Sequence, residues 1–151
     1  MINTMNVLTL DRVMACKTNI YELELYTFNA IEPQAFEALS QLKYYLNLSG
    51  LSSLSDDEAI AFARHHGILD LSGLKELSDT AASTLASKKG GLWLNGLTSV
   101  TDNAAISLSS HEGDLYLWGL TEMTKKAHQA LSKHNIFLTC SKIKISDLDA
   151  E

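Results

Sequence analysis

What the sequence is short of narrows it first. Basic residues are outnumbered: 12 Lys and Arg stand against 18 Asp and Glu, for a formal net charge of -6 and an isoelectric point near 5.3. Binding nucleic acid or an anionic membrane needs a basic footprint, so neither partner is expected. Cysteine is scarce. Cys16 and Cys140 are too few for a disulfide framework, and their spacing matches no metal motif. Both are expected as reduced core residues, which suits a reducing compartment. No apolar run reaches the ~20 residues that span a bilayer. The opening MINTMNVLTLDRV has no basic n-region and no continuous apolar h-region, so no secretory signal is read. The expectation is a cytoplasmic protein, or one exported without a cleavable signal peptide. Also missing are a Gly-rich phosphate loop, a Ser or Cys nucleophile motif and a metal-ligand series. Neither catalysis nor a cofactor is therefore expected.

What is present is a core-forming composition, 46% apolar, arranged in a 23-residue repeat. Residues 45–67 (YLNLSGLSSLSDDEAIAFARHHG), 68–90 (ILDLSGLKELSDTAASTLASKKG) and 91–113 (GLWLNGLTSVTDNAAISLSSHEG) align without a gap. Residues 114–136 continue the series with Ile136 at the last glycine place, and 22–44 precede it with Thr27 and Tyr44 at both glycine places. All eight glycines obey the scheme. Gly50, Gly73, Gly96 and Gly119 hold position 6, Gly67, Gly90 and Gly113 hold position 23, and Gly91 follows at position 1. The phase extends back to Leu8, which aligns with Leu54, Leu77, Val100 and Met123. One domain is expected over 1–151: a capping half repeat (1–21), five repeats (22–136), and a closing strand with Leu138 and Cys140 inward, followed by a tail (137–151).

Each repeat has one physical logic. Leucines at positions 2 and 4 predict a short strand with one inward face. Glycine at position 6 is expected in a backbone conformation that other residues avoid, turning the chain out of the strand. Position 10 is apolar, and Ser or Thr at position 11 predicts a helix N-cap. Ser55-Asp56-Asp57-Glu58 reads as a full capping box, and Pro33 as the first helical residue of its repeat. Glycine at position 23 is expected as the helix C-cap, with Asn135 serving in the fifth repeat. Strand, turn and helix stacked in register predict an α/β fold, a right-handed superhelix with a parallel sheet on one side.

At this point the chain resembles the leucine-rich repeat proteins. It is most similar to the short bacterial variety that reads L-x-L-x-G-L-x-x-L-[ST]-D-x-A-A-x-x-L-A-x-x-x-G. It departs from the commoner consensus, which has Asn or Cys after the strand and no regular capped helix. The resemblance implies a solenoid with its sheet on the concave face, helices on the convex face, and ligand contact on the sheet. Bacterial leucine-rich-repeat ubiquitin ligases carry a separate catalytic domain for which this chain has no room. Cys16 and Cys140 fall at predicted buried positions, so a thioester role is not expected.

With positions 2 and 4 inward, positions 1, 3 and 5 face out. Position 1 reads Glu22, Tyr45, Ile68, Gly91, Asp114; position 3 reads Glu24, Asn47, Asp70, Trp93, Tyr116; position 5 reads Tyr26, Ser49, Ser72, Asn95, Trp118. Both tryptophans of the chain are here, together with four acids and no Lys or Arg. An aromatic patch (Trp93, Tyr116, Trp118) beside an acidic, polar half predicts a face for a protein partner, basic or Arg-bearing. The candidate contact residues are Trp93, Tyr116, Trp118, Asp70, Asp114, Asn95, Tyr45, Tyr26 and Glu24. An immunity or inhibitor protein and a host-directed effector are two forms of this expectation. Acid plus aromatic stacking also describes a sugar platform, so carbohydrate binding is the alternative. The expected state is a monomer or a weak homodimer through the same face.

Two constellations invite chemistry and are read structurally. His65, His111 and His134 share position 21 with Lys88, where cations complement the C-terminal end of a helix dipole. Two stacked ligands without a third make no recognisable metal site. Glu22, Glu24 and Asp70 could pair carboxylates, but an open sheet offers no apolar pocket to raise a catalytic pKa.

Overall fold

The structure, a computed structural model, describes residues 6–15, 25–43, 45–133, 136–137 and 143–146. Short parallel strands alternate with helices through the repeats: β3 (Leu46–Asn47), α3 (Asp56–Ala63), β4 (Leu69–Asp70), α4 (Asp79–Ala86), β5 (Leu92–Trp93), α5 (Asp102–Leu108), β6 (Leu115–Tyr116). Leu46 pairs with Leu69, Leu69 with Leu92, and Leu92 with Leu115, each 23 residues on. The N–H groups at positions 2 and 4 donate to the next repeat, as in Leu69 N to Gly91 O at 2.9 Å and Leu71 N to Trp93 O at 2.8 Å. This mixed α/β arrangement is compatible with a repeat solenoid.

The core is the inward ladder that the repeat demands. Leu46, Leu69, Leu92 and Leu115 at position 2 are fully buried. Position 4 (Leu48, Leu71, Leu94, Leu117) and position 7 (Leu51, Leu74, Leu97, Leu120) are buried too. From the helices come Ala59, Phe62, Ala81, Ala82, Leu85, Ala104, Ala105 and Leu108, with Phe36 and Phe62 edge to face at 5.4 Å. Each such leucine contributes roughly 1.5–3 kcal/mol by burial.

The position-6 glycines have a different reason from the expected one. None of Gly50, Gly73, Gly96 and Gly119 has positive φ. A Cβ on Gly73 would lie 2.2 Å from Ser49 O and 2.3 Å from Leu51 O, so glycine is required there for close stacking of one repeat's backbone on the last. Positive φ occurs instead at Gly90 (85°) among the described residues. The position-23 glycines are also not the helix caps expected: α3, α4 and α5 end at right-handed Arg64, Ser87 and Ser109, several residues earlier.

Helix starts follow the sequence closely. Ser55, Ser78, Thr101 and Thr124 accept from the backbone N–H three residues on, and Ser55 with Glu58 completes the capping box. Three of these hydroxyls also donate. Ser78 bonds Asp56 at 2.6 Å, Thr101 bonds Asp79, and Thr124 bonds Asp102. The recurrent Ser/Thr-Asp pair is therefore a ladder running from repeat to repeat. Pro33 opens α2 (Pro33–Ser40), and Glu32, with no cap bond of its own, accepts from Leu10 N at 2.9 Å.

The ends carry a second strip of pairing at positions 9–11. β1 (Val7–Leu8) pairs with β2 (Ala30–Ile31), placing Leu8 opposite Ile31 in the 23-residue phase expected. Helix α1 (Leu10–Ala15) follows and packs on α2. At the other end β7 (Glu122–Thr124) leads into α6 (Lys125–Leu131), and β8 (Ile136–Phe137) pairs with β6. Leu115 meets Ile136, only 21 residues on. Ile136, expected at the last glycine place, thus opens the closing strand two residues early. A slip of two keeps the in-out alternation, whereas a slip of one would reverse it. β9 (Lys144–Ser146) pairs with β7 at a spacing of 22, with Met123 opposite Ile145. The expected inward Leu138 and Cys140, the core cysteine Cys16, the cap Asn135 and His134 lie outside the described residues.

Position 21 departs most from expectation. His65, Lys88 and His111 do not merely decorate helix ends; they are buried, at 0%, 1% and 0% exposure. Lys88 Nζ donates to Gly67 O (2.9 Å), Lys89 O (2.8 Å) and Gly91 O (3.1 Å), using all three of its protons. His111 sets Nδ1 3.2 Å from Ala86 O and Nε2 2.9 Å from Gly90 O. Lys88 and His111 each reach the position-23 carbonyl of the preceding repeat, Gly67 and Gly90, and so stitch one repeat to the last. Burial lowers the Lys88 ammonium from 10.5 to about 8.

Candidate functional site

The outward side of the sheet carries one continuous run of rings. Tyr45 and Trp93 lie 5.4 Å apart between centroids, Trp93 and Tyr116 5.3 Å, and Tyr116 and Trp118 5.2 Å, tilted or edge to face. Such pairs contribute about 0.5–1.5 kcal/mol each beyond area burial. Trp118 is 52% exposed and Tyr45 40%. The run crosses strands because position 3 of β5 and β6 is aromatic and the two are in register. In backbone register, Tyr116 stands opposite residue 137 of β8.

The contact between Tyr45 and Trp93 skips a strand. They flank β3 and β5, about 9.6 Å apart at the usual strand spacing, yet their rings touch. Both therefore lean over β4, and Asp70 beneath them is only 7% exposed. Asp70 accepts from Tyr45 Oη at 2.9 Å through Oδ2 and from Ser72 N at 2.9 Å through Oδ1. The Tyr45 phenol is pushed up to about 12, first by desolvation and then by this carboxylate. Asp70, a candidate partner contact, lies under the rings and holds one of them. The reason is that its neighbours at positions 1 and 3 are large enough to close over it.

Position 3 also decides how each strand ends. Asn47 Oδ1 accepts from Ser49 N at 3.1 Å, and Asp70 does the same for Ser72, a local turn that short polar side chains favour. Trp93 and Tyr116 cannot accept in this way. There the position-5 side chain of the preceding repeat takes over: Ser72 Oγ accepts from Asn95 N at 3.3 Å, and Asn95 Oδ1 from Trp118 N at 3.1 Å. Asn95, expected as a partner contact, is thus also a backbone cap. Ser72 in this role was not foreseen, although the loss of Asn or Asp at positions 93 and 116 signals that another acceptor is needed.

The remaining expected residues scatter. Asp114 is exposed on the strand that carries Tyr116 and Trp118. Tyr26 is 50% exposed in a 3-10 turn over Leu25–Thr27, one repeat before Tyr45. Glu24 and Glu22 lie outside the described residues. Ile68 at position 1 leans over Gly91, where a Cβ would come 3.3 Å from its Cγ1. Of the predicted acidic half, Asp70 is covered, so the described part of that half is polar rather than charged: Asn47, Ser49, Ser72.

Among the described residues no three His, Cys, Asp or Glu side chains converge as a metal site, and no helix is long and apolar enough to cross a membrane. Comparison with protein-family models, curated proteins and solved structures found no match to this chain.

Proposed function

We propose that this protein is a non-enzymatic interaction module, a solenoid similar to the leucine-rich repeat proteins, whose sheet face grips one protein partner. The observation that carries the reading is the run Tyr45–Trp93–Tyr116–Trp118: four rings in mutual contact, ending at a half-exposed tryptophan. Rigid aromatic anchors present large contact area at low entropy cost and mark binding hot spots. The outward sites contain no Lys or Arg, which favours a basic or Arg-bearing partner. A bacterial immunity protein, inhibitor or effector acting in the cytoplasm fits this surface, with no nucleic acid, membrane or cofactor required.

Affinity capture from lysate with wild type and with a Trp93→Ala/Tyr116→Ala/Trp118→Ala variant tests the proposal. Wild type should retain a defined partner that the variant loses, each anchor accounting for about 2 kcal/mol or roughly 30-fold. Circular dichroism checks that the variant remains folded. Equal capture by both rejects the proposal. Glycan-array binding that the triple variant loses, with no protein captured, would point to the carbohydrate reading.

A further inference from the structure

Four aspartates of the repeats have structural partners. Asp56, Asp79 and Asp102 accept hydroxyl bonds along the helix starts, and Asp70 holds Tyr45 and Ser72. Asp114 is different. It is exposed, and its carboxylate takes part in no hydrogen bond among the described residues. The ion pairs among those residues, Arg64–Glu37 and Lys126–Asp102, do not involve it. Asp114, Tyr116 and Trp118 occupy positions 1, 3 and 5 of one strand and its continuation, hence one face, with neighbours about 6.6 Å apart. A carboxylate, a phenol and an indole thus stand in line, the last two ring to ring at 5.2 Å.

We infer that the partner engages this strand with an arginine side chain, its guanidinium stacked on the Tyr116–Trp118 pair and its fork directed to Asp114. The inference rests on the interaction reading above and names the chemistry of its partner. The argument is complementarity. Every outward site of the described sheet lacks a cation, so no side chain of that face competes for the carboxylate. A guanidinium is planar, weakly hydrated and able to stack while bonding a carboxylate in bidentate fashion; an ammonium is a compact, strongly hydrated charge. Stacking next to an acid therefore selects arginine over lysine.

The test uses the whole chain and a defined probe, acetyl-Gly-Arg-Gly-Arg-Gly-amide, against the same peptide with lysine or citrulline. Trp93 and Trp118 are the only tryptophans of the chain, so their emission reports this surface directly. The arginine peptide should give a saturable change, with the lysine peptide at least about fivefold weaker and the citrulline peptide about tenfold weaker. Asp114→Asn should weaken the arginine peptide about tenfold, and Glu76→Gln, which removes the same charge from an exposed loop site, should leave it unchanged. No response to the arginine peptide, equal binding of lysine, or equal loss in both variants would each overturn the inference. If the triple aromatic variant still loses its captured partner in those cases, the interaction reading stands without an arginine. If it does not, that reading falls on its own evidence.

Discussion

The two halves of the outward sheet solve the same backbone problem in opposite ways. Around β3 and β4, position 3 is Asn47 or Asp70, and it bends to satisfy its own repeat's position-5 N–H. Around β5 and β6, that duty passes to Ser72 and Asn95 of the preceding repeat. The transfer releases position 3 for Trp93 and Tyr116. An aromatic surface is created by moving a structural task one repeat back. Two position-5 side chains, inconspicuous in themselves, permit two rings.

The most severe way to break the comparison is to change the register that both halves share. Deleting residues 91–113 joins two complete repeats and should leave a folded, less stable protein, because the backbone pairing and core of each repeat rest on its neighbours. Deleting 91–102 should unfold it. Thermal melts followed by circular dichroism distinguish the two, and equal damage would reject the 23-residue frame.

Next in size is the pin between the halves. Lys88→Met leaves the carbonyls of Gly67, Lys89 and Gly91 without their cation, at about 1–3 kcal/mol for each that finds no other donor. The pH dependence has a definite sign. Lys88 folds with its value lowered to about 8 from 10.5, so between those limits the unfolded chain holds more protons. Stability from this group therefore rises with pH across that window. Denaturant melts at pH 8 and pH 10 should show that rise in wild type and not in Lys88→Met.

Smaller effects separate the two capping schemes. Asp70→Ala should destabilise by about 1–3 kcal/mol, because it removes the acceptor of the part-buried Ser72 N–H and of the Tyr45 hydroxyl, and it should shift tryptophan emission as Trp93 loses its brace. Asn95→Ala frees an N–H beside an exposed Trp118 and should destabilise by about 1 kcal/mol or less. Equal losses in both would deny that the halves differ. The mildest probe is titration. Asp70→Asn removes the second and third causes of the raised Tyr45 value, which should fall from about 12 toward 10. Tyrosinate absorbance, with Tyr45→Phe as the subtraction, reads it. In wild type the folded chain keeps this proton longer than the unfolded one, so stability falls between pH 10 and 12.

Much of the architecture is legible in the residues because the repeat is short and its glycines are few. Leu46, Leu69, Leu92 and Leu115 carry the register by periodicity alone, and Ser55 with Glu58 announces a helix start by local chemistry. Contacts between repeats are less legible. Nothing local tells that Gly73 is needed for a neighbouring carbonyl rather than for its own φ. Lys88 reads as a surface cation until three carbonyls converge on it. Asp70 reads as exposed because alternation assigns a face but not a covering, and the covering comes from Tyr45 and Trp93, each one strand away. The slip at Ile136 is likewise invisible to a rule of fixed period.

The bonds along the helix starts give the molecule a direction. The hydroxyls of Ser78, Thr101 and Thr124 are plugs and Asp56, Asp79 and Asp102 their sockets, each plug fitting the socket of the repeat before it. The series opens only after Pro33, which offers no socket, and it ends at Lys125, which stands where the next aspartate would be. Copies of a middle repeat could be spliced in anywhere between those two points and find both couplings waiting. Past Lys125 they would find none, so one side chain acts as the terminator of a modular assembly.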